Sequence, residues 1–260
     1  MKQDIGDKLP RGVAISWGLV KEPQRGPKRE LSVKRIADAA VAIADKEGLG
    51  AVSMSRVAES LGFTTMSLYR YIPSKDDLLL LMQEAVSDVP IPPARDGEDW
   101  RDVIREYFQA TIKLFRDHPW FGDIPIQGAP ITPNSLRFAD WSLRAFRGLP
   151  LNAFEQMSIV LLLASYARAC GLLGRDLDRA MRAGASPESI SGSTYGDALK
   201  QLVTPEQYPD LYPLVASGAY AGENGEAAPV EADFEFGLER ILDGIEHYLK
   251  TKKAMENNGG

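Results

Sequence analysis

Side chains that could perform acid–base or metal chemistry are few in this 260-residue sequence. The aspartate pairs Asp76-Asp77 and Asp176-x-Asp178 are the only candidate magnesium ligands of an all-α enzyme, but neither forms a D-D-x-x-D motif. The two histidines, His118 and His247, do not have the spacing of a metal-ligand pair. We therefore expect no catalytic residue, no metal and no cofactor, with an all-α enzyme kept as an alternative.

A second set of side chains is spaced for contact with nucleic acid. The apolar stripe Met54–Leu61 and the pair Leu68 and Ile72 indicate two short helices joined by Gly62-Phe63-Thr64. The outer face of the second helix carries small hydroxyl, apolar and basic side chains, which can meet base edges, thymine methyls and phosphates in a major groove. We predict the following DNA-contacting residues: Ser53, Ser55, Arg56, Thr64, Thr65, Met66, Ser67, Tyr69, Arg70, Lys75, and, ahead of them, Arg29 and Lys34.

Lys75 adds weight to this prediction. A cation in the first turn of a helix opposes the helix dipole, so local helix stability does not explain it, whereas a phosphate contact would. The alternative is that these are two ordinary amphipathic helices at the edge of a helical core.

The apolar spacing that must position these residues is helical, and strand-like alternation is scarce. Ser32 and Gly48 bound a first helix, Ser53 and Gly62 a second, and Thr64 and Pro73 a third. Ser74 with Asp77 starts a fourth helix that runs to Val86. Later helices are expected over 100–116, 133–147, 152–182 and the stripe 234–249, while 186–230 is uncertain. The prediction is an all-α fold.

Composition bounds the class of protein. An apolar content of 44% can fill a globular core, and the lone Cys170 lies in an apolar helical run, where we expect a core role. The uncharged stretch 156–167 is shorter than the roughly 18 to 20 residues that span a bilayer. The first residues lack the apolar segment of a secretory signal. We expect a cytoplasmic protein without a membrane partner.

The net charge of −6 argues against nucleic acid until its distribution is considered. Residues 1–86 carry +2 and the remainder −8, and the segment 21–35 alone carries +4. A solvated linker would explain that segment, but its place directly before the first helix suggests an auxiliary DNA contact.

Residues 36–82, IADAAVAIADKEGLGAVSMSRVAESLGFTTMSLYRYIPSKDDLLLLM, resemble the N-terminal domain of the tetracycline-repressor (TetR) family. The segment FEFGLERILDGIEHYL, 234–249, is similar to the last helix of the subgroup closest to the tetracycline repressors. The resemblance implies a three-helix helix-turn-helix domain, 31–77, and a larger helical ligand-binding and dimerisation domain, 78–250. A basic, partly ordered arm, 1–30, and a flexible tail, 251–260, would flank them.

The same resemblance implies a homodimer that binds palindromic operator DNA and is released by a small, largely hydrophobic inducer. Ligand-lining positions carried over from the family are Tyr71, Tyr107, Phe108, Thr111, Phe138, Trp141 and Ser142. This mix of apolar rings and a few polar groups also fits a plain core. Tetracycline repressors have a histidine at the position of Tyr71, so we expect neither tetracycline nor a metal.

Small residues support a dimer independently of the resemblance. Gly237 and Gly244 lie seven apart on the last helix, and a face of 152–182 carries Ala164, Ala167, Gly171 and Gly174. Glycine costs about 1 kcal/mol relative to alanine inside a helix, so paired glycines suggest close helix packing, as in a four-helix dimer bundle. Tight packing within one chain, and a dimer that binds DNA without any ligand, remain the alternatives.

Overall fold

The computed structural model describes residues 6, 8–20, 31–126, 128, 130–185, 193–218 and 230–258. These segments contain eleven α-helices, two short 3-10 helices and no strand, which confirms the all-α fold class. The α-helices are α1 Arg11–Ser16, α2 Val33–Glu47, α3 Met54–Leu61, α4 Thr65–Tyr69, α5 Lys75–Val86, α6 Trp100–Asp117, α7 Pro133–Arg144, α8 Ala153–Arg182, α9 Ser193–Leu202, α10 Tyr212–Ala216 and α11 Val230–Asn258.

Serine caps fix the starts of three of the first helices. The Ser32, Ser53 and Ser74 hydroxyls accept the backbone N–H three residues ahead, at 3.2, 3.2 and 3.0 Å. Each bond satisfies one of the amides that have no partner inside the helix. The predicted starts of α2, α3 and α5 are confirmed.

The turn between α3 and α4 depends on Gly62. Gly62 has a φ of +75° and a ψ of 27°, and the amides of Gly62 and Phe63 donate to the carbonyls of Glu59 and Ala58. This left-handed helix end is a Schellman motif, which favours glycine because it has no Cβ. The turn therefore aims α4 away from α3.

One hydrophobic core joins α2, α3, α4 and α5. Ile36, Val57, Leu68 and Leu78 are each 0% exposed within it. The same core includes Trp120, from the 3-10 helix Pro119–Asp123 that follows α6. The helix-turn-helix thus packs against a segment that follows it by about forty residues of chain.

Helix α6 carries the core of the next layer. Its buried side chains include Tyr107, Phe108 and Phe115, and Phe108 stacks on Tyr166 of α8 at 5.5 Å between ring centroids. A Cβ at Gly171 of α8 would lie 2.6 Å from the Phe115 ring. Gly171 therefore serves packing within one chain, which corrects its assignment to a dimer contact.

Helix α7 is held by polar contacts at both ends. Glu84 of α5 accepts the backbone N–H of Asn134 at 3.0 Å, in the first turn of α7. At the other end, Arg144 donates to the Pro92 carbonyl at 2.6 Å and pairs with Glu98, both side chains being 9% exposed. These contacts tie α7 to α5 and to the loop before α6.

The chain divides into two compact units, residues 1–171 and 172–260. The expected boundary between residues 77 and 78 lies inside the first unit and stays a prediction. In the second unit, α11 buries Phe234, Leu238, Leu242 and Ile245 on one stripe, as predicted. Tyr248, predicted on that stripe, is 44% exposed.

Helix α11 also continues to Asn258, through most of the segment expected to be a flexible tail. The tail prediction is therefore corrected for residues 251–258, where the structure has helix.

Helix α8 is long and apolar enough to cross a membrane on length and composition alone. No such segment is expected from the sequence, because the uncharged stretch 156–167 is shorter than a bilayer span. The core helix of a protein meets the same criteria of length and composition. Arg168 of this helix donates to the Gly122 carbonyl at 3.0 Å and lies 5.8 Å from the Phe115 ring centroid. These contacts pack one face of α8 against the end of α6 and the 3-10 helix that follows it.

Candidate DNA-binding surface and aromatic cluster

One face of helix α4 is buried in the hydrophobic core, and the opposite face is exposed. Leu68 is 0% exposed in the core, whereas Met66 and Tyr69 are 73% and 44% exposed. Thr64 stands at the N-cap position, but its hydroxyl pairs with Ser67 Oγ at 2.9 Å and caps no backbone amide. The predicted N-cap position of Thr64 is confirmed, but its side chain does not cap a backbone amide because it is bonded to the Ser67 hydroxyl. The helix also ends at Tyr69, four residues before the predicted stop at Pro73.

Exposed polar residues also lie in the first turn of α3. Ser55 and Arg56 are exposed, and the Ser53 and Ser55 hydroxyls lie 3.1 Å apart. Arg56 pairs with Glu47 at 2.5 Å, with side chains 47% and 34% exposed. An exposed ion pair of this kind is worth little, so a phosphate can replace Glu47 as the partner of Arg56.

Basic residues flank the same surface. Lys75, the first residue of α5, and Arg70, which follows α4, are exposed and have no ion-pair partner in the described segments. Lys34 is paired with Asp38 at 2.8 Å on the surface of α2. Arg29 lies outside the described residues.

Helix α1 makes a contact that the sequence analysis missed. It packs on α5, where the Gly12 N–H donates to Asp77 Oδ1 at 2.6 Å, and it buries Val13 and Ala14. A Cβ at Gly12 would lie 2.9 Å from Asp77 Oδ1. The only sequence signal was the apolar island at 13–20, which does not reveal the partner.

A second missed contact joins α2 to the end of α6. Asp45 Oδ1 accepts the Trp120 Nε1–H at 2.5 Å and lies 2.8 Å from His118 Nδ1. Trp120 is 1% exposed, so this carboxylate satisfies a buried donor. His118 thus takes part in a polar link between helices.

Three of the predicted ligand-lining residues form an aromatic cluster, consisting of Tyr107, Phe138 and Trp141. Ring centroids lie 4.8 Å apart for Tyr107 and Phe138, 6.0 Å for Tyr107 and Trp141, and 5.6 Å for Phe138 and Trp141. The Trp141 ring stands at 81° and 82° to the other two, which is the edge-to-face geometry that aromatic pairs favour.

The aliphatic hydroxyl groups among the predicted ligand-lining residues donate hydrogen bonds to backbone carbonyls of their own helices. The Thr111 hydroxyl donates to the Tyr107 carbonyl at 2.9 Å, and the Ser142 hydroxyl donates to the Ala139 carbonyl at 2.7 Å. Burial raises the pKa of the Tyr107 phenol, with a smaller opposing effect from the Thr111 hydroxyl. Trp141 is 3% exposed, and its Nε1–H finds no acceptor among the described residues.

The remaining two ligand-lining positions lie in other surroundings. Phe108 stacks on Tyr166 and is 1% exposed, so its ring belongs to the α6–α8 core. Tyr71 is partly buried and packs against the core of α2 to α5.

Within the described segments, no group of three or more histidine, cysteine, aspartate or glutamate side chains is placed to hold a metal ion. The lone Cys170 is buried at 4% exposure, and burial raises the pKa of its thiol, which lowers its thiolate fraction. Two candidate functional sites are thus described: the exposed face of α4 and the aromatic cluster of Tyr107, Phe138 and Trp141.

Fold and site together define a helical protein with a helix-turn-helix that presents α4. Comparison with known families agrees. The family model of the tetracyclin repressor-like C-terminal domain matches residues 92–249, and that of the bacterial regulatory proteins of the tetR family matches residues 36–82. Residues 1–35, including α1, lie outside both models.

Relatives extend over nearly the whole chain. The HTH-type transcriptional repressor DrrR1 of Streptomyces coeruleorubidus is 33% identical over 251 residues, which are 95% of this chain and 88% of DrrR1. The HTH-type transcriptional repressor Rv1353c of Mycobacterium tuberculosis is 28% identical over 85% of this chain and 82% of its own. The Streptomyces coelicolor TetR family protein ActR, in complex with actinorhodin, has a TM-score of 0.67 at 25% identity and covers 86% of this chain and 99% of ActR.

The chain belongs to the TetR family and is a transcriptional repressor with a DNA-binding helix-turn-helix. Because the family and these relatives are transcriptional regulators, the enzyme alternative is rejected.

Proposed function

We propose that this chain is a dimeric repressor that binds a palindromic operator through α4 and is released by a small, largely apolar aromatic molecule. The observation that carries the DNA part is the two-sided character of α4. Leu68 fixes the helix in the core, while Met66 and Tyr69 on the opposite side are 73% and 44% exposed. A large apolar side chain held outward on a rigid helix fits contact with thymine methyls in a major groove.

The proposed contacts fall into two groups. Thr65, Met66 and Ser67, at the start of α4, read base edges. A second set binds phosphates and fixes the register of the protein on the duplex: Lys34, Ser53, Ser55, Arg56, Thr64, Tyr69, Arg70 and Lys75. Arg29 belongs to this second set by its place in the basic arm.

Dimerisation is supported by an apolar stripe on α8 that is exposed in the part of the chain that the structure describes. Phe154, Met157 and Leu161 are 79%, 56% and 68% exposed. Exposed apolar residues in a contiguous stripe mark an interaction surface, and a second copy of the chain would bury the same residues on both sides. On α11, Gly244 has open space around its missing side chain, so a partner helix can approach it closely.

The aromatic cluster is the proposed ligand site. Its rings suit a flat apolar molecule, and ActR, which shares the fold, was crystallised in complex with actinorhodin. Thr111 and Ser142 lie at the same helices and supply lone pairs. Phe108 and Tyr71 are proposed to contribute to the walls.

A mechanical route joins the two sites. Phe138 and Trp141 lie on α7, whose first turn donates a hydrogen bond to Glu84 of α5 at 3.0 Å. Helix α5 begins at Lys75, beside the DNA-binding surface. Ligand that displaces α7 therefore displaces α5, and the two recognition helices of a dimer no longer match half-sites about 34 to 36 Å apart.

The DNA part is tested by selecting binding sites from random duplexes with the purified full-length chain. We expect a palindrome, because a two-fold dimer reads two inverted half-sites. Recovery of sequences without inverted symmetry would refute dimeric operator binding.

The ligand part is tested by linkage. If a compound weakens operator binding by some factor, the operator must weaken binding of the compound by the same factor. If no compound that binds the protein changes its affinity for the operator, a ligand-independent repressor would be favoured.

With chromosomal operators as its targets, the protein acts in the cytoplasm.

A further inference from the structure

The Trp141 indole N–H is the unusual feature of the aromatic cluster. Trp141 is 3% exposed, and Nε1 has no acceptor among the described residues. Two other indoles of this chain have acceptors: Trp120 donates to Asp45 Oδ1 at 2.5 Å, and Trp17 donates to the Ile131 carbonyl at 2.9 Å. A buried donor without an acceptor destabilises the folded protein, so it needs an explanation at this one position.

The neighbouring polar groups do not supply that acceptor. Thr111 and Ser142 each donate their hydroxyl hydrogen to a carbonyl of their own helix, and neither hydroxyl oxygen lies where it can accept from Trp141 Nε1. The site is therefore short of one acceptor, and it offers one donor in apolar surroundings. A ligand recognised there must bring an acceptor atom.

We propose that Trp141 Nε1 donates a hydrogen bond to a carbonyl oxygen of the ligand, so that the inducer is a flat aromatic ketone or quinone. This inference rests on the proposed ligand site. Phe138 is the half-buried member of the cluster, whereas Tyr107 and Trp141 are 5% and 3% exposed. Rotation of the Phe138 ring admits the ligand, whose rings then lie against Tyr107 and whose carbonyl meets the indole N–H.

Specificity follows from this geometry. A hydrocarbon of the same shape gains the ring contacts but leaves Nε1 unpaired. A carbonyl compound gains the same contacts and satisfies the donor. The site therefore distinguishes ketones from matched hydrocarbons, as buried polar groups do in other recognition sites.

The test uses two matched pairs of probes, 9-fluorenone with fluorene and xanthone with xanthene, each pair differing by a carbonyl in place of a methylene. Binding to the full-length protein is followed by thermal shift and by titration. We expect each ketone to bind more tightly than its hydrocarbon by about 3- to 10-fold, the range that one neutral hydrogen bond gives.

Two variants make the test specific to this residue. Trp141→Phe keeps a ring but removes the N–H, so the ratio of ketone affinity to hydrocarbon affinity should fall to about 1, whatever the change in hydrocarbon affinity from the smaller ring. Trp100→Phe, which removes an indole N–H elsewhere, should leave the preference intact.

A third measurement, by NMR, uses the wild-type protein. In protein labelled with ¹⁵N at the tryptophan indoles, fluorenone should move the Trp141 indole proton downfield while fluorene does not. Equal binding of ketones and hydrocarbons, an unmoved Trp141 resonance, or failure of both ketones to bind would each overturn this inference. Operator selection is measured separately, so those results would leave the proposed repressor function standing.

Discussion

Replacing Asp45 by alanine removes the only described acceptor of the buried Trp120 indole. The bond is 2.5 Å long, Trp120 is 1% exposed and the acceptor is a carboxylate. Hydrogen bonds to charged groups are worth about 1.5 to 3 kcal/mol. Because the Asp45 side chain is itself 33% exposed, we expect the lower part of that range, about 1.5 to 2 kcal/mol. For a chain of this size the Tm should fall by about 3 to 8 °C, measured by calorimetry at fixed protein concentration.

Asp38→Ala is the matched control, because Asp38 lies on the same helix and its ion pair with Lys34 is exposed. That change should cost only about 0.3 to 0.5 kcal/mol. A double-mutant cycle of Asp45→Ala with Trp120→Phe should then give a coupling of at least about 1 kcal/mol, as directly contacting residues do. If Asp45→Ala were no worse than Asp38→Ala, or the coupling were negligible, the proposed link between α2 and the end of α6 would be refuted.

Three further predictions concern small residues. Gly12→Ala places a Cβ 2.9 Å from Asp77 Oδ1, so α1 should undock at a cost of about 1 to 3 kcal/mol and exchange its amide hydrogens faster; unchanged protection would contradict this. Gly62→Ala should cost about 1 kcal/mol in chemical denaturation because φ is +75°, whereas Gly50→Ala, equally open but without positive φ, should cost little; equal effects would disprove the conformational explanation. Cys170 should react with iodoacetamide far more slowly in the native than in the denatured protein, because burial raises its thiol pKa and lowers the thiolate fraction at pH 8; comparable rates would mean that the thiol is accessible.

The parts of the fold that follow from local physical chemistry could be predicted from the sequence. Ser32, Ser53 and Ser74 cap helices through contacts three residues away, and Gly62 ends α3 through its own backbone conformation. The apolar spacing that places Leu68 in the core also places its neighbours on the presented face of α4. The residues of the candidate DNA-binding surface can therefore be predicted from the local sequence alone.

Contacts between distant segments could not be read in this way. The acceptor of the Gly12 amide lies 65 residues away, and Asp45 meets Trp120 across 75 residues. Gly171 shows the same limit, because a glycine on an apolar helix indicates close packing without naming the partner, which here is Phe115 of the same chain. For the aromatic cluster, the residue types were predictable from the resemblance, but the unpaired Trp141 donor required the three-dimensional structure.

The discrimination between operator and unrelated DNA tests the central claim most directly. Fluorescence anisotropy should compare the selected palindrome with a scrambled duplex of equal length, for the wild-type protein and for the Met66→Ala and Lys75→Ala variants. The wild-type protein should prefer the palindrome by about 10³-fold or more. Met66→Ala should reduce that preference, while Lys75→Ala should weaken both duplexes alike and lower the salt dependence by about one phosphate contact. Equal affinity of the wild-type protein for the two duplexes would contradict the assignment of α4 as the recognition helix.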